Sequence, residues 1–281
     1  MPAIEVRDLR KSYADVEAVA GVSFDVAQGE CLALLGPNGA GKTTTTEILE
    51  GYRKADSGYA RVLGVDPSQG DMDWKARLGI VLQADRDLGD LTVNEAVRHF
   101  AGYFNNPRDP AEVIHAVGLE EKAGARNSKL SGGQRRRLDV ALGIIGSPEL
   151  LFLDEPTTGF DPAARREFWK LIEKLKTDGA TVLLTTHYLD EAEHLADRVA
   201  VIARGRIVAC DTPAQIGNRA EGTAIVTWIE NGTEQRESTA RPTAFVNELA
   251  ARFTGEVPQL AIRRPTLEDT YLSLVAKEDE S

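Results

Sequence analysis

The stretch CLALLGPNGAGKT, residues 31–43, decides how this chain folds. Its first five residues form an unbroken apolar run, the pattern of a strand buried on both faces. Its last eight fit G-x-x-x-x-G-K-[ST]. The glycines let backbone N–H groups turn inward around an anion. A helix expected to run on to about residue 50 points the positive end of its dipole at the same place. Lys42 adds a point charge suited to β- and γ-phosphates, and the Thr43 hydroxyl is a hard oxygen for Mg²⁺. A strand before and a helix after are the setting this spacing requires. The alternative, a flexible glycine turn, needs neither.

Outward from this loop, strands alternate with helices. Strands are predicted at residues 4–9 (IEVRDL), 22–26 (VSFDV), 59–65 and 79–83 (GIVLQ). From residue 91 to about 145 the pattern changes: LTVNEAVRHFAGYF and DPAEVIHAVGL have helical spacing, which predicts an all-helical insert. Buried-strand runs return at 150–153 (LLFL) and 181–184 (TVLL), with a charged amphipathic helix over 163–175 between them. RVAVIARGRIVACD reads as a hairpin turning at Arg204 and Gly205. Such alternation indicates an α/β fold with a mostly parallel sheet. The main domain is expected to span residues 1–214, with its helical part at about 88–146. Residues 215–281 read as a small accessory domain: a hairpin turning at Asn231 and Gly232, a helix and a final LEDTYLSLV segment. The tail KEDES is expected to fray.

Bulk properties narrow the partners. The net charge of −11 disfavours nucleic acid and anionic membrane surfaces, both of which call for a basic face. Two cysteines, Cys31 and Cys210, lack CxxC spacing and read as buried thiols of a reducing compartment. The N-terminus has no apolar signal core, and no run approaches the roughly 18–20 apolar residues of a membrane span. The expectation is a soluble cytoplasmic chain; at a membrane, another protein would supply the spans.

Further candidates lie at strand ends. LLFLDE ends in two acids: Asp154 is suited to hold Mg²⁺ through water, and Glu155 to polarise a water attacking the γ-phosphate. Adjacent residues of an extended chain face opposite ways, which predicts different tasks for the two acids. His187 closes TVLLTTH, and strand carboxyl ends are where open α/β sheets hold ligands. Gln83 ends GIVLQ likewise, and its neutral amide could touch Mg²⁺ and water. The competing readings are a solvated strand-end acid and an ordinary structural histidine.

With these residues assembled, the chain resembles the nucleotide-binding subunit of an ABC transporter, over roughly residues 4–212. The most specific element is LSGGQRRRLDVALGIIGSPELLFLDEPTTGFDP, a signature motif joined to a Walker B strand. The resemblance implies a P-loop NTPase ABC ATPase fold with a parallel core, an antiparallel β subdomain, a helical subdomain and a small α+β C-terminal extension. It assigns ATP binding to Gly36, Pro37, Asn38, Gly39, Ala40, Gly41, Lys42, Thr43 and Thr44, the Walker A loop. Gln83 matches the Q-loop and Ser131, Gly132, Gly133 and Gln134 the signature. Asp154 and Glu155 match the Walker B pair, residues 159–162 with Asp161 the D-loop, and His187 the switch histidine. Tyr13 sits where the family places an aromatic that stacks on adenine; packing between two strands is the other reading. In this family two subunits pack head to tail, and each signature caps the ATP on its partner's Walker A loop. A second copy or a homologous ATPase subunit, a transmembrane permease, ATP and Mg²⁺ are therefore implied, with no nucleic acid partner. Catalysis falls to Glu155, His187, Gln83 and Lys42, and metal binding to Thr43, Gln83 and Asp154.

Three features resemble the daunorubicin-resistance type of bacterial multidrug-export ATPase: EILEGYRKADSGYARVLGVDP, SGGQRRRLDVALGIIG and the closing RRPTLEDTYLSLV. They imply ATP-driven export at the cytoplasmic face of the cell membrane, through a separate permease. The hydrophilic stretch ADRDLGD after Gln83 departs from that pattern where the permease docks. An importer ATPase and a soluble non-transport ABC ATPase are the alternatives. The absence of sustained heptads and the single cassette speak against the latter.

Overall fold

In the computed structural model, which describes residues 1–81, 89–218 and 224–279, the chain opens with an antiparallel pair. Strands β1 (Ile4–Tyr13) and β2 (Val16–Val26) pair from Ile4 opposite Val26 to Tyr13 opposite Val16. The expected strand at 22–26 is thus only the end of a longer one. Register shifts break the apolar alternation of β1 after Val6, Leu9 and Lys11. The chain reverses beside Ala14, which takes a positive φ of 47° with no glycine to signal a turn. Strand β3 (Cys31–Leu35) is wholly buried and runs into α1 (Lys42–Leu49). Strand β4 (Ser57–Val62) then pairs with the free edge of β1, giving a three-stranded antiparallel sheet ordered β2-β1-β4.

After α2 (Met72–Ala76), β5 (Leu78–Val81) leads toward the helical insert. The insert holds α3 (Val93–Ala101), α4 (Pro110–Ala116) and α5 (Gly132–Ile144). Each begins on a side-chain cap: Thr92 with Glu95, Asp109 followed by Pro110, and Ser131 with Gln134. Then follow β6 (Leu150–Asp154), α6 (Pro162–Thr177), β7 (Thr181–Thr186), α7 (Leu189–Leu195), β8 (Arg198–Ala203) and β9 (Arg206–Asp211). The central sheet is ordered β5-β6-β7-β3-β8-β9, and the four pairings from β5 to β8 are parallel. Arg204 and Gly205 join β8 to β9 with positive φ values of 46° and 73°, the backbone of a type I′ hairpin turn. The core lies between the two sheets, where Val6, Phe24, Leu34, Leu49, Trp74 and Phe152 pack together.

The chain divides into two compact units, Met1–Cys210 and Asp211–Ser281. In the second, β10 (Ala224–Glu230) is flanked by β11 (Thr233–Thr239) and β12 (Ala261–Arg263), with α8 (Pro242–Ala250) between them in sequence and α9 (Leu267–Asp279) at the end. Asn231 and Gly232 make its hairpin turn, with φ values of 54° and 79°. Val226, Trp228 and Leu249 form its small core, with Phe245 against it. The strand β12 has no counterpart in the sequence reading, because three exposed residues carry no alternation. Cys210, expected to be buried, is only half-buried, and Arg198 Nη2 donates to its sulfur at 3.2 Å. Among the described residues no helix is long and apolar enough to cross a membrane.

Candidate active site

Register places the candidates. Leu35 pairs with Thr186, Asp154 with Thr185 and Val81 with Leu153, all in parallel ladders. The segments after β3, β6 and β7 therefore emerge at one edge of the sheet. The position of β3, between β7 and β8, makes this edge a topological switch point, where open parallel sheets bind ligands. Gln83 lies outside the described residues.

The loop after β3 is built close to its surroundings. Gly41 has a φ of 102°, and a Cβ there would lie 2.3 Å from the Ala18 carbonyl oxygen, so only glycine fits. Gly36 and Ala40 are buried, whereas Pro37, Asn38 and Gly39 are exposed along the loop. Gly41 is also the N-cap of α1; the helix has no side-chain cap and no acid in its first turn. The positive end of its dipole and its amide donors are therefore left unneutralised by the helix's own side chains, which suits an anion. Lys42 is buried and turns back under the loop, donating to the carbonyls of Gly36 at 2.6 Å and Pro37 at 3.0 Å. Burial lowers its pKa, against the pull of Glu155 and Asp154. Thr43 is exposed and Thr44 half-buried.

Across the edge, Thr185 Oγ1 donates to Asp154 Oδ1. Glu155 differs from the sequence expectation. It is not extended: β6 ends at Asp154, and Glu155 sits at a φ of 43° with its N–H bonded to Thr185 O at 3.0 Å. A kink, not strand alternation, separates the two acids. Non-glycine residues in this region store of order 1 kcal/mol and cluster at functional sites. The Glu155 side chain is 14% exposed, and its Oε2 lies 3.4 Å from His187 Nδ1.

Two residues here escaped the sequence reading. Arg136 of α5 is buried and donates to the backbone oxygens of Pro156, at 3.1 Å, and Asp154. It ties the helix after LSGGQ to the strand end that carries both acids. Three consecutive arginines hide which one points inward; only the helical phase of α5 selects it. Glu50, at the end of α1, has its carboxyl pushed up to about 8 by burial, then by Asp154 and Glu47. No motif marks it.

The remaining candidates are elsewhere. Ser131 Oγ accepts from Gln134 N at 3.2 Å, and Gln134 Oε1 accepts from Ser131 N at 3.0 Å, so both side chains engage their own helix start. That helix, α5, packs on β5, α3 and α4. Around Gly132 nothing lies within 4 Å of where a Cβ would stand, and around Gly133 the nearest atom is Ala164 Cβ at 3.8 Å. The chain's own packing does not require these glycines. Asp161 caps α6, accepting from the N–H groups of Ala163 and Ala164 at 2.9 Å each. Those backbone bonds hold its carboxyl below the usual range. Tyr13, ending β1, is 38% exposed; the Arg53 guanidinium carbon and Lys11 Nζ lie 5.5 Å and 5.7 Å from its ring centroid.

The donor set suits an ion shared with phosphate. Among the described residues no three of His, Cys, Asp and Glu gather as a metal cage. The Thr43 hydroxyl and the Asp154 carboxylate are hard oxygens, and Mg²⁺ is characteristically held by one or two such groups plus substrate phosphates.

A family model described as ABC transporter matches residues 19–158. The Nod factor export ATP-binding protein I of Rhizobium etli is 36% identical over 302 residues, covering 100% of this chain and 95% of that one. Its namesake from Paraburkholderia xenovorans is 42% identical over 219 residues, covering 76% and 72%. A solved structure described as an ATP binding subunit of an ABC transporter superposes with a TM-score of 0.69 at 27% identity, over 76% of this chain and 91% of that one.

Proposed function

The chain belongs to the ABC transporter ATP-binding family, and from that premise we propose that it powers export of a small molecule through a separate membrane-spanning permease. It binds ATP and is an ATPase, its hydrolysis coupled to transport. The observation that carries export is the extent of the likeness. The Rhizobium etli relative, named for export, matches this chain over its whole length, at 100% coverage, whereas the Paraburkholderia xenovorans relative and the solved cassette each cover 76%. The accessory unit thus lies within the match to a relative that carries export in its name.

Lys42 and the amides that open α1 bind the phosphates. Glu155 takes a proton from the attacking water, and His187 meets the γ-phosphate edge. Mg²⁺, when bound, offsets phosphate charge and orients the γ-phosphate. Thr43 and Asp154 would hold it, with Gln83 as the further ligand. Tyr13 stacks on adenine. Two ATPase subunits act head to tail, with Ser131 and Gly133 of one closing over the nucleotide of the other and Asp161 at the seam. The open space around Gly132 favours this arrangement, since glycine there serves an approaching molecule better than it serves its own fold. The substrate is a drug, antibiotic or lipid-like molecule, as in the daunorubicin-resistance type, and the subunit works at the cytoplasmic membrane face.

Affinity purification of the tagged chain from its native membranes, followed by mass spectrometry, tests the proposal. A stoichiometric polytopic protein is expected, and its isolated complex should hydrolyse ATP faster with the exported substrate. Recovery only from the soluble fraction, without such a protein, would overturn the transport coupling in this chain.

A further inference from the structure

The strand end that carries His187 continues into a stacked group with no role so far. Tyr188 follows directly, and its ring centroid lies 4.1 Å from that of His187, with the planes inclined by 39°. Arg165, in the first turn of α6, places its guanidinium carbon 4.1 Å from the centroid of the Tyr188 ring. Arg165 Nη1 also donates to Asp190 Oδ2 at 3.1 Å, in the first turn of α7. Its Nε is buried without a hydrogen-bond partner. Ring face and carboxylate, from two sides, therefore hold the cation. The Tyr188 backbone is fixed as well: its N–H donates to Thr186 Oγ1 at 3.0 Å.

A histidine side chain turns about two bonds, and loss of either setting moves Nδ1 away from Glu155. The Glu155 carboxylate alone, 3.4 Å away, does not define the plane of the imidazole. An aromatic face does, because a ring stacked against it keeps its offset and tilt. A guanidinium over the same tyrosine holds the tyrosine in turn. We propose that Tyr188, held by Arg165, is the positioning residue that keeps the His187 imidazole in place against Glu155. This rests on His187 as the group that meets the γ-phosphate. Neither Tyr188 nor Arg165 touches the reacting atoms; both act through His187.

Steady-state ATP hydrolysis by the full chain tests it, with nucleotide affinity measured alongside. Tyr188→Leu should lower kcat about tenfold while KM for ATP stays within about twofold, the pattern of a misplaced catalytic group. Tyr188→Phe keeps the ring and should recover at least half of the lost rate. Arg165→Met should follow Tyr188→Leu more weakly, and it decides the matter if Tyr188→Leu does not fold. His187→Ala is the control for the underlying reading. If it abolishes turnover while Tyr188→Leu and Arg165→Met match the parent kcat, the positioning role is overturned and the role of His187 stands. If His187→Ala itself matches the parent, both fall. A Phe variant as slow as the Leu variant overturns the stacking account, since it would assign the effect to the hydroxyl.

Discussion

His187 Nδ1 lies 3.4 Å from Glu155 Oε2, a contact between the ends of two neighbouring parallel strands. The glutamate is nearly enclosed, at 14% exposure, whereas the histidine is 45% exposed. A sheltered carboxylate beside a more open imidazole suits a base that removes a water proton near a bound phosphate. Glu155→Gln should bind ATP with unchanged affinity and lose kcat by at least about 100-fold, the lower end for general-base catalysis. Gel filtration with ATP should show a persistent dimer. Hydrolysis at the parent rate would remove Glu155 as the base.

Tyr13 tests nucleotide recognition. Its ring is partly exposed and lies within 6 Å of two cations, Arg53 and Lys11. Tyr13→Ala should weaken ATP binding by about 1 kcal/mol, roughly fivefold in Kd, the scale of one aromatic contact. Titration with a fluorescent ATP analogue measures this. An unchanged Kd reduces Tyr13 to strand packing.

The signature glycines test the head-to-tail arrangement. Because Gly133 has no tight neighbour in its own chain, Gly133→Asp should leave Tm unchanged and abolish the ATP-dependent dimer. Mixing Gly133→Asp with Lys42→Ala should restore one intact composite site per heterodimer. Failure of the mixture to trap nucleotide would argue that each chain completes its own site.

Glu50 predicts a pH dependence of stability. Burial beside Asp154 and Glu47 raises its pKa from 4.5 to about 8 in the folded protein. Between these values the folded chain holds a proton that the unfolded chain releases. Stability from this group is full below about 4.5 and is lost as pH rises toward about 8. Glu50→Gln mimics the protonated acid. Its Tm should match the parent near the low end and exceed it increasingly toward the high end, by calorimetry. A constant Tm difference across the range would exclude Glu50 as the titrating group.

The α/β fold with a parallel core was legible because its signals are local. Buried apolar runs gave β3, β6 and β7, and the Arg204–Gly205 and Asn231–Gly232 pairs gave both hairpin turns. The closing LEDTYLSLV is helical, and its start is capped by local hydrogen bonds. Thr266 Oγ1 accepts from Asp269 N, and Asp269 Oδ2 accepts from Thr266 N, a reciprocal pair three residues apart. The first hairpin was less legible. Its turn puts Ala14, not glycine or asparagine, at a positive φ, and bulges blur the period of β1.

By itself the sequence determined what lies within a few residues of chain: a glycine loop that opens a helix, acids at a strand end, and the hairpin turns at Arg204–Gly205 and Asn231–Gly232. These follow from backbone sterics, dipoles and short-range hydrogen bonds, which spacing encodes. Only the tertiary structure decided which of three arginines reaches the oxygens of Asp154 and Pro156. It alone decided that Glu155 leaves its strand by a kink, that Glu50 is half-buried near Asp154, and that Arg165 and Tyr188 stand behind His187. Each of these joins groups on different elements, and contact across space depends on how sheets and helices pack, which no local pattern records.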